Sequence, residues 1–221
     1  MHRLVLDIET SGTPFDELDA DTQEYLLKRA DTPEKITQVK EQLNTFPLTG
    51  EIVAIGVLDV DALTGAVYFQ APGRKVDAFV EEGIRYEPGT ERECLERFWR
   101  VAGASDQIIT FNGRGFDAPW LMIRSIVHGI PVTKNLMPNR FSTEHHLDLA
   151  DQLTFYGATR GYSLDFWCKT LGIASPKTDM IGKDVPQHFR AGEYERIARY
   201  NGRDLRATRE LFVRWQAAMR R

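Results

Sequence analysis

LVLDIETSG, residues 4–12, is a strand-forming run that carries two carboxylates. Leu4, Val5, Leu6 and Ile8 suit a buried strand, expected over 3–10. Side chains alternate across a strand, so Asp7 and Glu9 lie on one face. Two like charges on a partly buried face raise the free energy unless something positive lies between them. The run therefore fixes an early strand and a need for positive charge beside it.

Working outward, residues from 15 to about 47 are polar and helix-forming, with Leu26, Leu27, Ile36, Val39 and Leu43 at partial helical spacing. Pro33 separates two helices there, and the segment reads as an insertion between strands, a lid or a partner surface. EIVAIGVLDV (51–60) and AVYFQAP (66–72) read as a hairpin, turned by LTG. Thr90 and Glu93 form a capping box that opens a helix. QIITFN (107–112) is a buried strand, and a helix begins near Asp117 with Trp120, Leu121, Ile123 and Ile126. After a loop-rich stretch (129–145) come a short strand in LDLADQL, a helix from Ser163 to Leu171, and a last helix over roughly 192–219. Three strands followed by helices alternating with strands imply an α/β fold, a mixed central sheet flanked by helices. The 221 residues suit one domain, 1–221, with its insertion at about 15–47.

At 42% hydrophobic and 27% charged, the chain has the make-up of a soluble globular protein. No apolar run approaches the ~20 residues of a membrane span, and the N-terminus enters a strand without a signal-peptide layout. Cys94 and Cys168 are in no metal-like spacing, so a reduced, cytoplasmic setting is expected. The net charge of −4 excludes coating of nucleic acid by bulk charge. The charge is uneven, however. Residues 1–51 hold 5 Lys and Arg against 11 Asp and Glu, whereas residues 160–221 hold 13 against 7. A polyanion would approach the C-terminal part; a solvated helix face explains the same bias.

The last helix repeats the puzzle of the first strand. Ile197, Tyr200, Asp204, Thr208, Leu211 and Trp215 make one helical face that is fit for burial yet contains a carboxylate. Tyr200 lies one turn before Asp204, so phenol and carboxylate are neighbours. Pairing of Asp204 with Arg203 or Arg206 at the rim of the stripe is the simpler account. In FNGRGFDAPWL (111–121), Asp117 stands where a strand gives way to a helix, and an N-cap explains it equally well, with Pro119 in the first turn. Neither GxxxxGK nor GxGxxG occurs. Together, Asp7, Glu9, Asp117 and Asp204 suggest one acidic pocket, which hard divalent cations would neutralise. Mg²⁺ and Mn²⁺ favour oxygen ligands, and a pair of them is the usual machinery of phosphodiester cleavage.

These residues, in this order, resemble the DEDD superfamily of 3′–5′ exonucleases, which has a ribonuclease H-like fold. Asp7-Ile8-Glu9 matches its D-x-E motif, Asn112 with Phe116-Asp117 its N-x-x-x-F/Y-D motif, and Tyr200 with Asp204 its Y-x-x-x-D motif, the DEDDy form. The second and third motifs look most like the exonuclease domain of family B DNA polymerases, and the chain resembles stand-alone predicted exonucleases of that type. The 15–47 segment is longer than such a domain needs. No polymerase domain accompanies the motifs, so a proofreading role is not carried over. The resemblance implies that Asp7, Glu9 and Asp204 bind one Mg²⁺ or Mn²⁺. Asp7 bridges to a second ion held by Asp117, and Tyr200 orients the attacking water. Asn112 and Phe116 would line the terminal-nucleotide pocket. Thr10 and Ser11 either touch the last nucleotide or simply end the strand, and Lys177 either meets a phosphate or is solvated.

EHHLDLAD offers His145, His146, Asp148 and Asp151, but a tetrahedral zinc site needs a fuller ligand set. The expected activity is hydrolysis of a single-stranded nucleic acid from its 3′ end to nucleoside monophosphates, with DNA preferred over RNA and no membrane involved. Phe116, Trp120 and Phe155 are candidates for stacking on bases. An exoribonuclease of the same superfamily, or a non-catalytic nucleic-acid-binding module on this fold, are the alternatives.

Overall fold

In the computed structural model, which describes residues 1–219, seven strands form one sheet in the order β4-β5-β3-β2-β1-β6-β7. They are β1 (Arg3–Gly12), β2 (Gly50–Asp59), β3 (Gly65–Gln70), β4 (Phe79–Glu81), β5 (Ile84–Gly89), β6 (Gln107–Thr110) and β7 (His146–Asp148). β1 pairs antiparallel with β2 and parallel with β6; β6 and β7, and β3 and β5, are also parallel. The expected mixed sheet is present. The expected hairpin of β2 and β3 is present, but its connection runs over 60–64 and Gly65 of LTG is already in β3, paired with Leu58.

Two strands were not anticipated. β4 and β5 form a tight hairpin across Glu82 and Gly83, both at positive φ (48° and 81°). Such turns favour Asn-Gly or Asp-Gly. Glu-Gly hides the signal, and a three-residue strand is too short to show a period.

Among the described residues, eight α-helices accompany the sheet: α1 (Ala20–Leu27), α2 (Pro33–Glu41), α3 (Glu91–Gly103), α4 (Asp117–His128), α5 (Leu149–Leu153), α6 (Leu164–Leu171), α7 (Val185–Arg190) and α8 (Tyr194–Met219). Alternation along β1 divides the core. Leu4, Leu6 and Ile8 pack with Leu95, Phe98 and Trp99 of α3 and Trp120 and Leu121 of α4. Val5 faces the other way, into the cluster with Ile197, Leu205 and Leu211 of α8. Asp7 and Glu9 share Val5's parity and so look toward α8.

α8 lies close on the sheet because Gly56, the β2 partner of Asp7, has no side chain. A Cβ there would collide with Asn201 Oδ1 and Leu205 Cδ1. Gly56→Ala should therefore destabilise the fold by about 1–3 kcal/mol, an overpacking effect, and loosen Asn201. Urea unfolding checks this, with a shifted midpoint at constant slope as the expected result.

The insertion is two exposed helices held at their ends. Asp19 caps α1, Thr32 caps α2, and Pro33 opens α2, so two helices are separated there as expected. Neither helix buries a residue. The anchors are the buried Phe15 and Leu43, the Thr10 hydroxyl donating to Asn44 O (2.8 Å), and Arg124 donating to Pro47 O (3.1 Å).

Candidate active site

β1 and α8 supply the centre. One carboxylate oxygen from each of Asp7, Glu9 and Asp204 lies within 4.8 Å of the other two. Glu9 and Asp204 are buried, and Asp7 is half-buried. The rim explanation for Asp204 is not what the fold adopts. Arg203 instead pairs with Asp179 (2.6 Å), and Arg206 with Glu82 (3.3 Å).

Asp117 arrives from the opposite layer. β1 and β6 pair only as far as Val5 and Ile109, so the next β1 amides on that side lack a strand partner. The carboxylate of Asp117 accepts the N–H of Ile8 at 3.0 Å. The cap role is thereby corrected: Phe116 occupies the N-cap position of α4 without a side-chain cap, and Asp117 is the first helical residue, turned to β1. Asp117 is buried beside the trio, though it is not one of the three that share a single ion-sized gap.

Burial raises all four carboxyls. Asp7 is held well above the usual range by desolvation, then by the charges of Asp204, Glu9 and Asp117, with the Asn201 hydrogen bond opposing. Glu9 is likewise raised by desolvation and by Asp204 and Asp117. Desolvation pushes Asp117 up to about 7 and Asp204 up to about 6; for Asp204, the Tyr200 phenol, Lys177 and Arg203 pull the other way. Burial and the facing carboxylates push the Tyr200 hydroxyl up, so it stays protonated and is a donor.

Asn201 escaped the sequence reading. Its Nδ2 donates to Asp7 Oδ2 (2.7 Å), it is fully buried, and its Oδ1 has no partner. The signal was its place in YNGRD, three residues before Asp204 on the sheet-facing stripe.

The other predicted contacts are scattered around this centre. Thr10 is buried, with its hydroxyl spent on Asn44 O. Asn112 is exposed in a left-handed turn (φ 63°), its N–H donated to Asp148 Oδ1 (2.8 Å). Phe116 is half-buried against Trp120 (ring centroids 5.9 Å). Trp120 is sealed in the core and offers no face for stacking, because its bulk fills the gap between α4 and β2; Phe155 is exposed.

The His-Asp cluster is structural. Both ring nitrogens of the buried His146 are engaged, by Thr110 Oγ1 (2.8 Å) and Leu136 O (2.7 Å). Asp148 accepts the N–H groups of Asn112, Arg114 and Ala150. Cys94 and Cys168 are buried free thiols, and no helix among the described residues is long and apolar enough to cross a membrane.

A mixed sheet with helices on both faces, and an acidic centre where β1 meets α8, define a ribonuclease H-like fold. The chain belongs to the family described as predicted 3′–5′ exonucleases related to the exonuclease domain of PolB, whose profile matches residues 52–220. Asp7 and Glu9 precede that match. The chain is 26% identical to the polymerase of Thermococcus sp. (strain 9oN-7) over 95% of its length and 28% of the polymerase. It is 26% identical to that of Pyrococcus horikoshii over 95% of the chain and 18% of that protein. The family B DNA polymerase structure from Pyrobaculum calidifontis superposes with a TM-score of 0.61 at 18% identity, covering 94% of this chain and 23% of the polymerase. The chain thus spans under a third of the relatives it matches.

Proposed function

We propose that residues 1–221 are one 3′–5′ exonuclease domain, with the 15–47 segment as an insertion. It would hydrolyse single-stranded nucleic acid, DNA in preference to RNA, to nucleoside monophosphates. The observation that carries this reading is the convergence of Asp7, Glu9 and Asp204 on one ion-sized gap.

The donor set suits a hard divalent cation: all oxygen, largely buried, and raised in pKa chiefly by desolvation, with the neighbouring carboxylates adding to the rise for Asp7 and Glu9. Asp7, Glu9 and Asp204 would hold one Mg²⁺ or Mn²⁺, and Asp7 with Asp117 a second. When bound, such ions supply Lewis-acid stabilisation of phosphate charge and acidify water. The chain's own residues do the rest. Asn201 fixes the rotamer of Asp7 through its 2.7 Å hydrogen bond. Asp117, tied to Ile8 N–H, fixes the gap between α4 and β1. Tyr200, kept protonated, donates to a water and aims its lone pair at phosphorus. The water oxygen would bond to phosphorus as the P–O3′ bond breaks in line; the water's proton passes to solvent, the 3′-oxygen leaves with the shortened strand and takes up a proton from solvent, and a nucleoside monophosphate departs. Phe116 and Asn112 would border the terminal nucleotide.

Tyr200→Phe removes the donor and keeps the ring. The rate should fall about 10- to 100-fold, while the rise in melting temperature on adding Mn²⁺ persists. Loss of the Mn²⁺ response would make Tyr200 a structural residue of the ion site instead.

The test of the whole reading uses 5′-labelled single-stranded DNA and RNA with Mg²⁺, Mn²⁺ or chelator, beside Asp204→Ala. A ladder shortening from the 3′ end, metal-dependent and lost in the variant, is expected, stronger on DNA. No ladder on either strand, with binding retained, would leave a nucleic-acid-binding module.

A further inference from the structure

Beyond the acidic centre, β1 runs on through Ser11 and Gly12 into a second cleft, about 610 Å³ in volume, between the insertion and α7. Gly12 is three residues from Glu9 along one strand, about 10 Å at an extended rise. Three cations line the cleft: Lys40 from α2, Lys183 from the turn before α7, and Arg190 at its end. Lys183 and Arg190 are exposed, and among the described residues neither forms an ion pair or a side-chain hydrogen bond. Lys40 sits 4.5 Å over the Phe15 ring, with a long, exposed contact to Asp16 (3.8 Å).

The arginines of α8 are placed differently: Arg196, Arg199, Arg203, Arg206, Arg209 and Arg214 each have a carboxylate partner. The C-terminal charge bias is thus largely neutralised on that helix, whereas Lys183 and Arg190 at the cleft have no such partner among the described residues. Glu41 is the one acidic residue on the wall. In a chain of net charge −4, a cleft with three cations that opens beside a buried acidic site suits a polyanion. Its width is set from below. A Cβ at Gly12 would meet Asn44 N at 2.5 Å, and the Thr10 hydroxyl holds Asn44 O, so the insertion's return leg is fixed against β1.

We propose that this cleft is the track for the sugar–phosphate backbone upstream of the 3′ end. Lys40, Lys183 and Arg190 take its phosphates, and the insertion forms one wall of the substrate path. The proposal rests on the exonuclease reading for its polarity, but its charge chemistry is testable without cleavage. Phosphate contacts of this kind give affinity with little sequence preference and a marked salt dependence.

The test is fluorescence anisotropy with labelled single-stranded DNA and RNA oligonucleotides, without divalent metal, as a function of salt. Lys183→Ala/Arg190→Ala and the charge-reversed Lys183→Glu/Arg190→Glu are compared with wild type. Lys35→Ala, an exposed insertion lysine paired with Asp31, is the control. Both double variants change exposed side chains, and circular dichroism melts verify that they fold. The alanine pair should weaken binding about tenfold and flatten the slope of log K against log salt by roughly 0.7 per lost contact; the reversal should weaken it further. Equal losses on both strands assign the shared phosphodiester backbone, and a loss on one strand alone assigns the track to that polymer. Wild-type affinity and slope in both double variants, or no binding by wild type, overturns the track. Binding that responds to these variants in a protein that cleaves neither strand would overturn the exonuclease reading and leave the track standing.

Discussion

Asp7→Asn is expected to reduce strand-end hydrolysis by about 10³-fold or more and, at the same time, to raise the melting temperature of the metal-free protein. The two effects share one cause. Asp7 is the carboxylate most crowded by like charge, facing Glu9, Asp204 and Asp117 at the meeting of β1 and α8. A neutral amide of the same shape removes that repulsion and keeps an oxygen for the Asn201 Nδ2 donor, so packing is preserved. A gain of about 1–2 kcal/mol would appear as a rise of roughly 2–8 °C in a chain of this length. Activity is expected to fall because, in the proposed reading, Asp7 would serve both ion positions. Calorimetry in chelator and single-turnover cleavage in Mn²⁺ read the two sides. A variant that is inactive and also less stable would mean that Asp7 serves the fold through a partner outside this cluster.

The second large effect concerns pH. A carboxyl whose pKa is higher in the folded state binds its proton more tightly when folded. Its contribution to stability is complete below the unfolded value, near 4, and is lost as pH rises through the folded value. With Asp204 at about 6 and Asp117 at about 7, and Asp7 and Glu9 raised as well, the metal-free protein should lose stability between about pH 4 and 7. Divalent metal competes with these protons. It should restore stability by about 2.7 kcal/mol at a hundredfold excess over its Kd near pH 8, and by much less at pH 5. Melts across pH 5–8 in chelator and in Mn²⁺ provide the curves, and their difference from Asp7→Asn isolates the cluster from histidine titration. A wild-type melting temperature that stays flat across this window in chelator would show that the four carboxylates are not electrostatically frustrated.

Much of this architecture is legible in the sequence because it is written in short-range patterns. The capping box at Thr90 and Glu93, the Asp19 and Thr32 caps, and Pro33 at the head of α2 mark helix boundaries through contacts three residues apart. β1 and β2 announce themselves as dense aliphatic runs. The β4–β5 hairpin does not, because Glu82 occupies a left-handed position usually given to Asn, Asp or Gly. β5 is stabilised by pairing with β3, nineteen residues away at Gly65 and Ile84, rather than by local preference, and β4 adds to its outer edge. The sequence does not distinguish the core role of Trp120 from base stacking for a similar reason: an aromatic on an amphipathic helix looks the same whether its face meets solvent or a sheet.

The sequence by itself determined which carboxylates are anomalous. Asp7 and Glu9 interrupt a buried strand and Asp204 interrupts a buried helical stripe, and burial of an unpaired charge is costly wherever it occurs. Only the tertiary structure decided what those carboxylates do together. The parity of β1 turns Asp7 and Glu9 to α8, the bare backbone of Gly56 lets α8 approach, and the early end of β6 leaves Ile8 N–H for Asp117. Asn201 and the Lys40, Lys183 and Arg190 cleft are products of the same step. They join residues more than a hundred positions apart, and through-space electrostatics depends on distances in the folded chain that no local pattern encodes.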